Sequence, residues 1–359
     1  MINSATNLLV FIVALSFLML THELGHFLVG KLFKIQAEEF GFGYPPKLVK
    51  LFNWGNTEFT LNWIPFGAFV RFKGEDDPTA EGGLYAANKW QRLGTLIAGP
   101  AMNILIGILL FSLVISQSGY PNEQIVQIAY VEPGSPAYEA GIEANDEFVA
   151  INGQDVFSMT EVSTLIQENL GEAVEIEFLR DGQPITLSVI PRANPPEGQG
   201  AMGVVMQNPV VEYGFFQAIP RGTQMAWAQI KQVFELPGMI SRGEVSSEEM
   251  RPLSPKGLYD VYAQVRESEQ VYEQEQPNLA FLNVCWFFGI ISTALGFTNL
   301  LPIPALDGGR ILFILPEIFI GKRVPAKYEN AIHMVGYLAL LVLMAYVFLQ
   351  DFINPVVLP

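Results

Sequence analysis

The sequence is poor in cysteine and in charged residues. Cys285 is the single cysteine among 359 residues, which excludes a disulfide framework within the chain and a metal site built from several thiolates. Charged residues make up 16% of the chain and hydrophobic residues 50%, a balance that differs from that of water-soluble domains. The composition therefore predicts that much of the chain lies in a membrane.

The hydrophobic residues cluster in four stretches, near residues 4–29, 93–116, 279–301 and 332–352. Each stretch is close to the roughly 20 residues that a helix needs to cross about 30 Å of hydrocarbon. The first stretch lacks the basic start of a cleaved signal peptide, since the first lysine is Lys31. We therefore expect four membrane-spanning helices, of which this stretch is the first.

The net charge of −16 lies in one segment of the chain. Residues 119–278 hold 24 acidic and eight basic residues, and the charges of the remaining residues cancel. The other basic residues lie in the connections 31–92 and 310–327, which the positive-inside rule places in the cytoplasm. The acidic segment and both termini then lie outside, and the acidity of the segment argues against a nucleic-acid partner.

The connection 31–92 contains two segments in which aromatic, β-branched and polar residues alternate between glycines and prolines. The segments are EFGFGYPPKLVKLF and TEFTLNWIPFGAFVRFKGE, and their pattern predicts strands. Two interpretations stay open, a hairpin that dips into the membrane and a sheet in the cytoplasm. Because lipid cannot satisfy the backbone of a strand, the first interpretation requires that the hairpin pack on the helices.

Residues 125–192 have the strand and turn pattern of a soluble domain, with a helix expected near 160–170. Asp181-Gly182 between two β-rich runs is a strong hairpin signal. The run from Pro133 to Gln154 resembles the PDZ domains of bacterial proteases. The resemblance implies capture of an extended peptide tail by strand addition, although the same fold could instead exclude substrates as a steric gate.

The region after this domain begins with the linker NPPEGQG and continues into stretches near 215–235 and 258–275, which we predict as surface helices. The first of these stretches carries aromatic and aliphatic residues at helical spacing. It would lie on the membrane or pack on the PDZ-like domain.

The clearest chemical motif is THELGHFLVG, within the first apolar stretch. His22 and His26 stand four residues apart, so one face of a helix presents both imidazoles to the same point, next to Glu23. Zn²⁺ accepts neutral imidazole ligands, and catalytic zinc sites use three protein ligands and an open position. Ionisable residues are costly inside a spanning helix, so three polar residues there require a compensating function.

A third ligand is expected from NLLPIPALDGG, at the end of the third apolar stretch. Pro302 and Pro304 break the helix there, and Gly308-Gly309 let the backbone approach closely, which can direct Asp307 inward. On the residues of this motif alone, a helix-terminal turn with a capping aspartate is the favoured interpretation.

HELGH in the first span together with N-x-x-P-x-x-x-L-D-G-G near a later one resembles the site-2 protease family. The order of the parts is similar to that of the bacterial branch with one PDZ domain, including the Gly-Pro-Ala-x-Asn run from Gly99 to Asn103. The resemblance covers nearly the whole chain and is loose only over 200–278.

The resemblance implies a role for each matching residue. His22, His26 and Asp307 would bind Zn²⁺, Glu23 would be the general base, and Asn299 would hold the substrate or stabilise the oxyanion. Two segments depart from the family pattern, namely IPFGAFVRFKGE and the run PLSPKGL from Pro252 to Leu258. Neither departure touches the expected zinc site. His333, at the start of the fourth stretch, would contact the site or lie at the membrane interface.

The expected fold is a polytopic α-helical membrane protein with a membrane-associated β-rich loop and an inserted extracytoplasmic α+β PDZ domain. Its regions would be an N-terminal membrane core, the PDZ domain, a linker region with surface helices and a C-terminal membrane core, at residues 1–118, 119–193, 194–278 and 279–359.

The expected activity is that of an intramembrane zinc metalloendopeptidase in the bacterial cytoplasmic membrane, with the active site near the cytoplasmic leaflet. Its substrates would be single-span membrane proteins, cut in regulated intramembrane proteolysis, such as an anti-sigma factor or a signal-peptide remnant. Two alternatives are a catalytically inactive scaffold that binds peptide tails and a zinc transporter. The scaffold should lack a base or a ligand, and the transporter should spread polar residues over several spans.

Overall fold

The computed structural model describes residues 4–75, 77, 79–196, 198–243, 251–269 and 277–356. The chain divides into two compact units. We call Met1–Ile115 with Phe215–Pro359 the helical unit, and Ser116–Gly214 the inserted unit.

The described residues form helices and strands that we number along the chain. The helices are α1 (Ser4–Leu32), α2 (Lys89–Ser118), α3 (Pro136–Glu139), α4 (Met159–Glu168), α5 (Phe215–Ser241), α6 (Pro255–Glu269), α7 (Pro277–Leu300), α8 (Asp307–Phe319) and α9 (Ala326–Ile353). The strands are β1 (Ala37–Trp54), β2 (Thr57–Phe72), β3 (Tyr120–Pro121), β4 (Val126–Val131), β5 (Glu147–Ile151), β6 (Gln154–Asp155), β7 (Val174–Arg180), β8 (Gln183–Val189), β9 (Val204–Gln207) and β10 (Val210–Val211).

Four of the described helices, α1, α2, α7 and α9, are long and apolar enough to cross a membrane. They coincide with the four apolar stretches of the sequence, so the prediction of four such helices is confirmed. Most side chains of α9 are exposed although they are apolar, which suits a helix that faces lipid.

Strands β1 and β2 form a hairpin that folds back on itself. Phe40 pairs with both Phe59 and Val70, so the first part of β1 lies between the two parts of β2. The backbone nitrogen of Gly67, at the fold in β2, lies 3.5 Å from the hydroxyl of Ser16 in the middle of α1. The hairpin therefore reaches the middle of a helix that can span the membrane, as the first of the two interpretations requires.

The inserted unit is built on a twisted sheet with the strand order β8-β7-β5-β4-β9, and β6 pairs with β5. Asp181 and Gly182 join β7 to β8 with φ angles of 49° and 76°, the two left-handed residues of a type I′ turn. The hairpin predicted at this dipeptide is confirmed. Serines begin both short helices, since Ser135 Oγ accepts from Tyr138 N in α3 and Ser158 Oγ accepts from Glu161 N in α4.

The predicted domain boundaries remain a prediction, and one strand of the sheet lies beyond the predicted end of the PDZ domain. β9 pairs with β4 from Gln127 with Gln207 to Val131 with Val204, so the sheet continues past residue 193. The linker NPPEGQG hides this continuation from sequence inspection, because prolines and glycines usually mark the end of a domain.

α5 and α6 overlap the two stretches predicted as surface helices, although residues 270–275 of the second stretch lie outside the described residues. α5 packs on a spanning helix, since Gln229 Nε2 donates to the carbonyl of Ile290 at 2.9 Å and Phe234 lies against Phe297. At the start of α6, the backbone nitrogen and hydroxyl of Ser254 both donate to Asp351, a buried residue of α9. The divergent run from Pro252 to Leu258 is thus bound to the last span.

Candidate metal centre

The first side of the centre is one turn of α1. His22 and His26 project from the same face of the helix, and their Nε2 atoms lie 3.1 Å apart. Both side chains are buried, with residue exposures of 8% and 6%. The two imidazoles on this face of α1 therefore point toward the same position, as the HELGH spacing predicts.

The second side is the first residue of α8. Asp307 Oδ2 lies 3.2 Å from His22 Nε2 and 3.4 Å from His26 Nε2. Candidate ligand atoms of the three residues all lie within 4.8 Å of one another. Among the described residues, this is the group of histidine and carboxylate side chains that could hold a metal ion.

A compact turn between α7 and α8 directs Asp307 inward. A Cβ on Gly308 would meet the carbonyl oxygens of Leu300 and Leu301, so only glycine permits this backbone approach. Ala305 adopts a left-handed φ of 83°, and its backbone nitrogen donates to His333 Nδ1 at 3.0 Å. His333 thus contacts the turn that precedes Asp307.

α2 supplies a partner for His26 that the sequence reasoning missed. Nδ1 of His26 lies 2.7 Å from the carbonyl oxygen of Thr95. A carbonyl can only accept, so Nδ1 carries the proton and Nε2 keeps its lone pair for a metal. One turn further on, a Cβ at Gly99 would overlap the His26 ring, so glycine provides the space that the imidazole occupies.

The donor set fits Zn²⁺. Two neutral imidazoles and one carboxylate are a ligand set found in catalytic zinc sites, in which a fourth position stays open. Here the lone pair of His26 Nε2, His22 Nε2 and an oxygen of Asp307 converge at 3.1–3.4 Å. A divalent cation between these atoms would accept a lone pair from each of them.

Glu23 lies beside the three candidate ligands, against the edge of the hairpin. Its Oε2 accepts a hydrogen bond from the backbone nitrogen of Val70 at 3.0 Å. Both residues line a cavity of about 410 Å³, which the candidate ligands and Asn299 also line. The structure thus brings all five predicted site residues, His22, Glu23, His26, Asn299 and Asp307, to one cavity.

The sequence matches the model of peptidase family M50 over residues 10–343. The chain belongs to this family. The resemblance to site-2 proteases is thereby confirmed, and with four helices able to span a membrane the M50 peptidase is a multi-pass membrane protein.

Relatives of this M50 peptidase are named as zinc metalloproteases. One, from Clostridium perfringens, is 34% identical over 351 residues, which cover 96% of this chain and 98% of the relative. Another, from Clostridium acetobutylicum, is 28% identical, with 98% of each chain covered. The zinc metalloprotease RasP of Geobacillus kaustophilus is 25% identical and covers 98% of this chain and 99% of its own.

Solved structures that resemble part of the M50 peptidase include the PDZ domain of an SdrC-like protein from Listeria monocytogenes. It is 21% identical, covers 23% of this chain and 85% of its own, and has a TM-score of 0.21. Another solved structure, the solution structure of a protein from Geobacillus thermodenitrificans, is 28% identical, covers 20% of this chain and 84% of its own, and has a TM-score of 0.19. The PDZ fold of the inserted unit stays a prediction.

Proposed function

We propose that this chain is an intramembrane zinc endopeptidase in which His22, His26 and Asp307 hold the metal. The observation that carries the proposal is the convergence of these three side chains, at 3.1–3.4 Å, in a cavity beside a helix able to span the membrane. Placing ionisable side chains within a membrane-spanning segment costs free energy, and a bound divalent cation would offset that cost.

The protein's own residues do most of the chemistry in this proposal. Glu23 takes a proton from the attacking water and returns it to the leaving amine, while the Val70 N–H holds one of its carboxylate oxygens in place. Zn²⁺, when bound, supplies a Lewis acid that polarises the scissile carbonyl and acidifies the water. Asn299 offers an amide donor to the negative charge that develops on the carbonyl oxygen.

The substrate is a single-span membrane protein that enters as an extended segment. A peptide bond inside an intact helix is shielded by its own hydrogen bonds, so the segment must unwind first, which glycine and proline favour. The last part of β2, from Ala68 to Phe72, is an outer strand of the hairpin, and its Val70 N–H points toward Glu23. This strand can align the substrate by backbone pairing.

Pairing with β2 can be tested on the substrate without changing the enzyme. A model spanning peptide would carry one N-methylated residue at each position around the cut site in turn. Because alternate residues of a strand donate to the same neighbour, we expect cleavage to fall at alternate positions only. Loss at every position, or at none, would count against strand pairing.

We further propose that the site lies near the cytoplasmic leaflet of the bacterial inner membrane and the inserted unit outside, where a PDZ fold would bind peptide tails. The distribution of basic residues supports this orientation. A cysteine placed at Asp181 should react with a membrane-impermeant maleimide in intact cells, and one at Lys73 should not. Because the native Cys285 is buried, it should contribute little background labelling. The reverse labelling pattern would refute the orientation.

The protease proposal itself is tested by comparing wild type with Glu23→Gln. Both proteins are purified in detergent, their zinc content is measured, and each is assayed on a model spanning peptide. We expect about one zinc per chain in both, and about 10²- to 10⁴-fold slower cleavage by the variant. Equal cleavage by both proteins would refute it. Zinc without cleavage in either would favour a scaffold, and zinc flux across vesicles would favour a transporter.

A further inference from the structure

Asn103, the last residue of the Gly99–Asn103 run of α2, has no part in the proposed chemistry. Thr95, Gly99 and Asn103 are spaced four residues apart, so they form one stripe on α2. The first two contact His26, as described above. Asn103, which is 1% exposed, contacts His22, because its Nδ2 lies 3.4 Å from His22 Nδ1.

The orientation of the Asn103 amide matters for metal binding. A donor at Nδ1 of His22 requires the imidazole proton to sit on Nε2, the atom that faces His26 and Asp307. That tautomer cannot bind a metal through Nε2. His22 therefore needs an acceptor at Nδ1, as His26 has in the carbonyl of Thr95.

The surroundings of the amide favour the opposite orientation. Asn103 Oδ1 lies 3.5 Å from the hydroxyl of Thr21, but the single hydroxyl proton is directed to the carbonyl of Leu18 at 2.9 Å. A half-turn of the amide exchanges its oxygen and nitrogen and moves no other atom. Nδ2 then donates to a free lone pair of Thr21, and Oδ1 accepts from His22 Nδ1–H.

The backbone of Asn103 is fixed independently of this choice. Ser292 of α7 donates to the carbonyl oxygen of Asn103 at 2.8 Å, and both residues are buried. The helix turn that carries the amide is therefore held against α7 as well as against α1. A fixed backbone limits how far the amide can move away from His22.

We propose that Asn103 is a positioning residue for the metal: its amide oxygen accepts from Nδ1–H of His22 and so keeps the lone pair of Nε2 available. The inference rests on the proposed function, because it concerns how the ligands are prepared for zinc. In this role Asn103 acts through His22. Partners of metal-binding histidines typically change metal affinity by about 10- to 100-fold when they are removed.

The test compares Asn103→Leu, Asn103→Asp and Thr21→Val in the full-length protein, with zinc affinity measured by chelator competition. Leucine has a similar size and no acceptor, so we expect about 10- to 100-fold weaker zinc binding. Aspartate keeps an acceptor and should stay within about threefold of wild type. Thr21→Val removes the oxygen that accepts from Asn103 Nδ2 but leaves the acceptor for His22, so its loss of affinity should be smaller than that of Asn103→Leu. Unchanged affinity in Asn103→Leu, or an equal loss in Asn103→Asp, would overturn the inference.

A second measurement does not depend on the folding of the variants. In zinc-free wild type labelled with ¹⁵N-histidine, His22 should carry its proton on Nδ1, because Asn103 selects that tautomer before the metal binds. A proton on Nε2 of His22 would overturn the inference. If wild type binds no zinc at all, the proposed function fails, whereas zinc binding that ignores Asn103 defeats this inference alone.

Discussion

The core of the inserted unit is built from apolar side chains, whereas the helical unit buries histidines, an asparagine and an arginine beside its apolar clusters. Phe148, Ile176 and Phe178 belong to the apolar core of the inserted unit, and among its described residues the buried polar side chains are Ser135 and Asp146. The helical unit, in contrast, buries many polar side chains and exposes many large apolar ones.

The difference reflects the surroundings of each unit. In water, removal of apolar surface drives the packing of a core, so the sheet of the inserted unit buries its apolar face. Between spanning helices in lipid, apolar packing has no such advantage, and close contacts and hydrogen bonds hold the helices together. A polar site can therefore lie between the helices of the helical unit, beside their apolar clusters.

Charged contacts also fix the helix that carries Asp307. Arg92 of α2 is 4% exposed, and it pairs with Glu317 of α8 at 3.1 Å and with Glu329 of α9 at 3.8 Å. These contacts join three helices at one end of the helical unit. In the inserted unit, Arg180 pairs with the buried Asp146, and this contact raises the pKa of Arg180, yet it lies beside an intact apolar core.

The largest contrast is expected for loss of a candidate ligand. Asp307→Ala removes one of three converging ligands, so we expect the purified protein to retain no zinc after dialysis against a mild chelator. The matched control is Asp155→Ala, an exposed aspartate of the inserted unit, which should keep the zinc content of wild type. Full zinc content in Asp307→Ala would show that the metal is held elsewhere.

The next largest effect is expected in the apolar core of the inserted unit. Phe178 is fully buried and packs on Phe148 with ring centres 4.8 Å apart, so Phe178→Ala should destabilise this unit by about 3–5 kcal/mol. Hydrogen exchange of the amides of β5 and β7 measures the change in the full chain.

Phe157→Ala in the same unit is the control, since Phe157 is 61% exposed and its loss should cost little. Zinc content should be unchanged in both variants. Equal exchange rates in the two variants would contradict a core centred on Phe178, and loss of zinc in Phe178→Ala would show that the two units are not independent.

The smallest effect is expected when glycine is replaced by alanine once in each unit. In Gly99→Ala the new methyl group meets the His26 ring, so we expect zinc affinity to fall by about 10- to 100-fold. Gly200→Ala in the inserted unit has open space around the new methyl group and should leave both zinc affinity and stability unchanged. Similar behaviour of the two variants would mean that the contact between α2 and His26 does not position the ligand.

Local patterns predicted the elements that depend on neighbouring residues. The four apolar stretches, the Asp181-Gly182 turn and the HELGH spacing are short-range signals, and the structure has each of them where expected. The return of β9 to the sheet was missed, because it follows a linker and depends on pairing with a strand 73 to 80 residues earlier.

The sequence by itself determined that His22, Glu23 and His26 share one helical turn in an apolar segment, since helix periodicity fixes that geometry locally. Only the tertiary structure decided that Asp307 reaches the same point, that Val70 contacts Glu23, and that Thr95 and Asn103 stand behind the two histidines. These contacts join residues far apart in the chain. Their distances depend on how α1, α2, α8 and β2 pack, which no local pattern records.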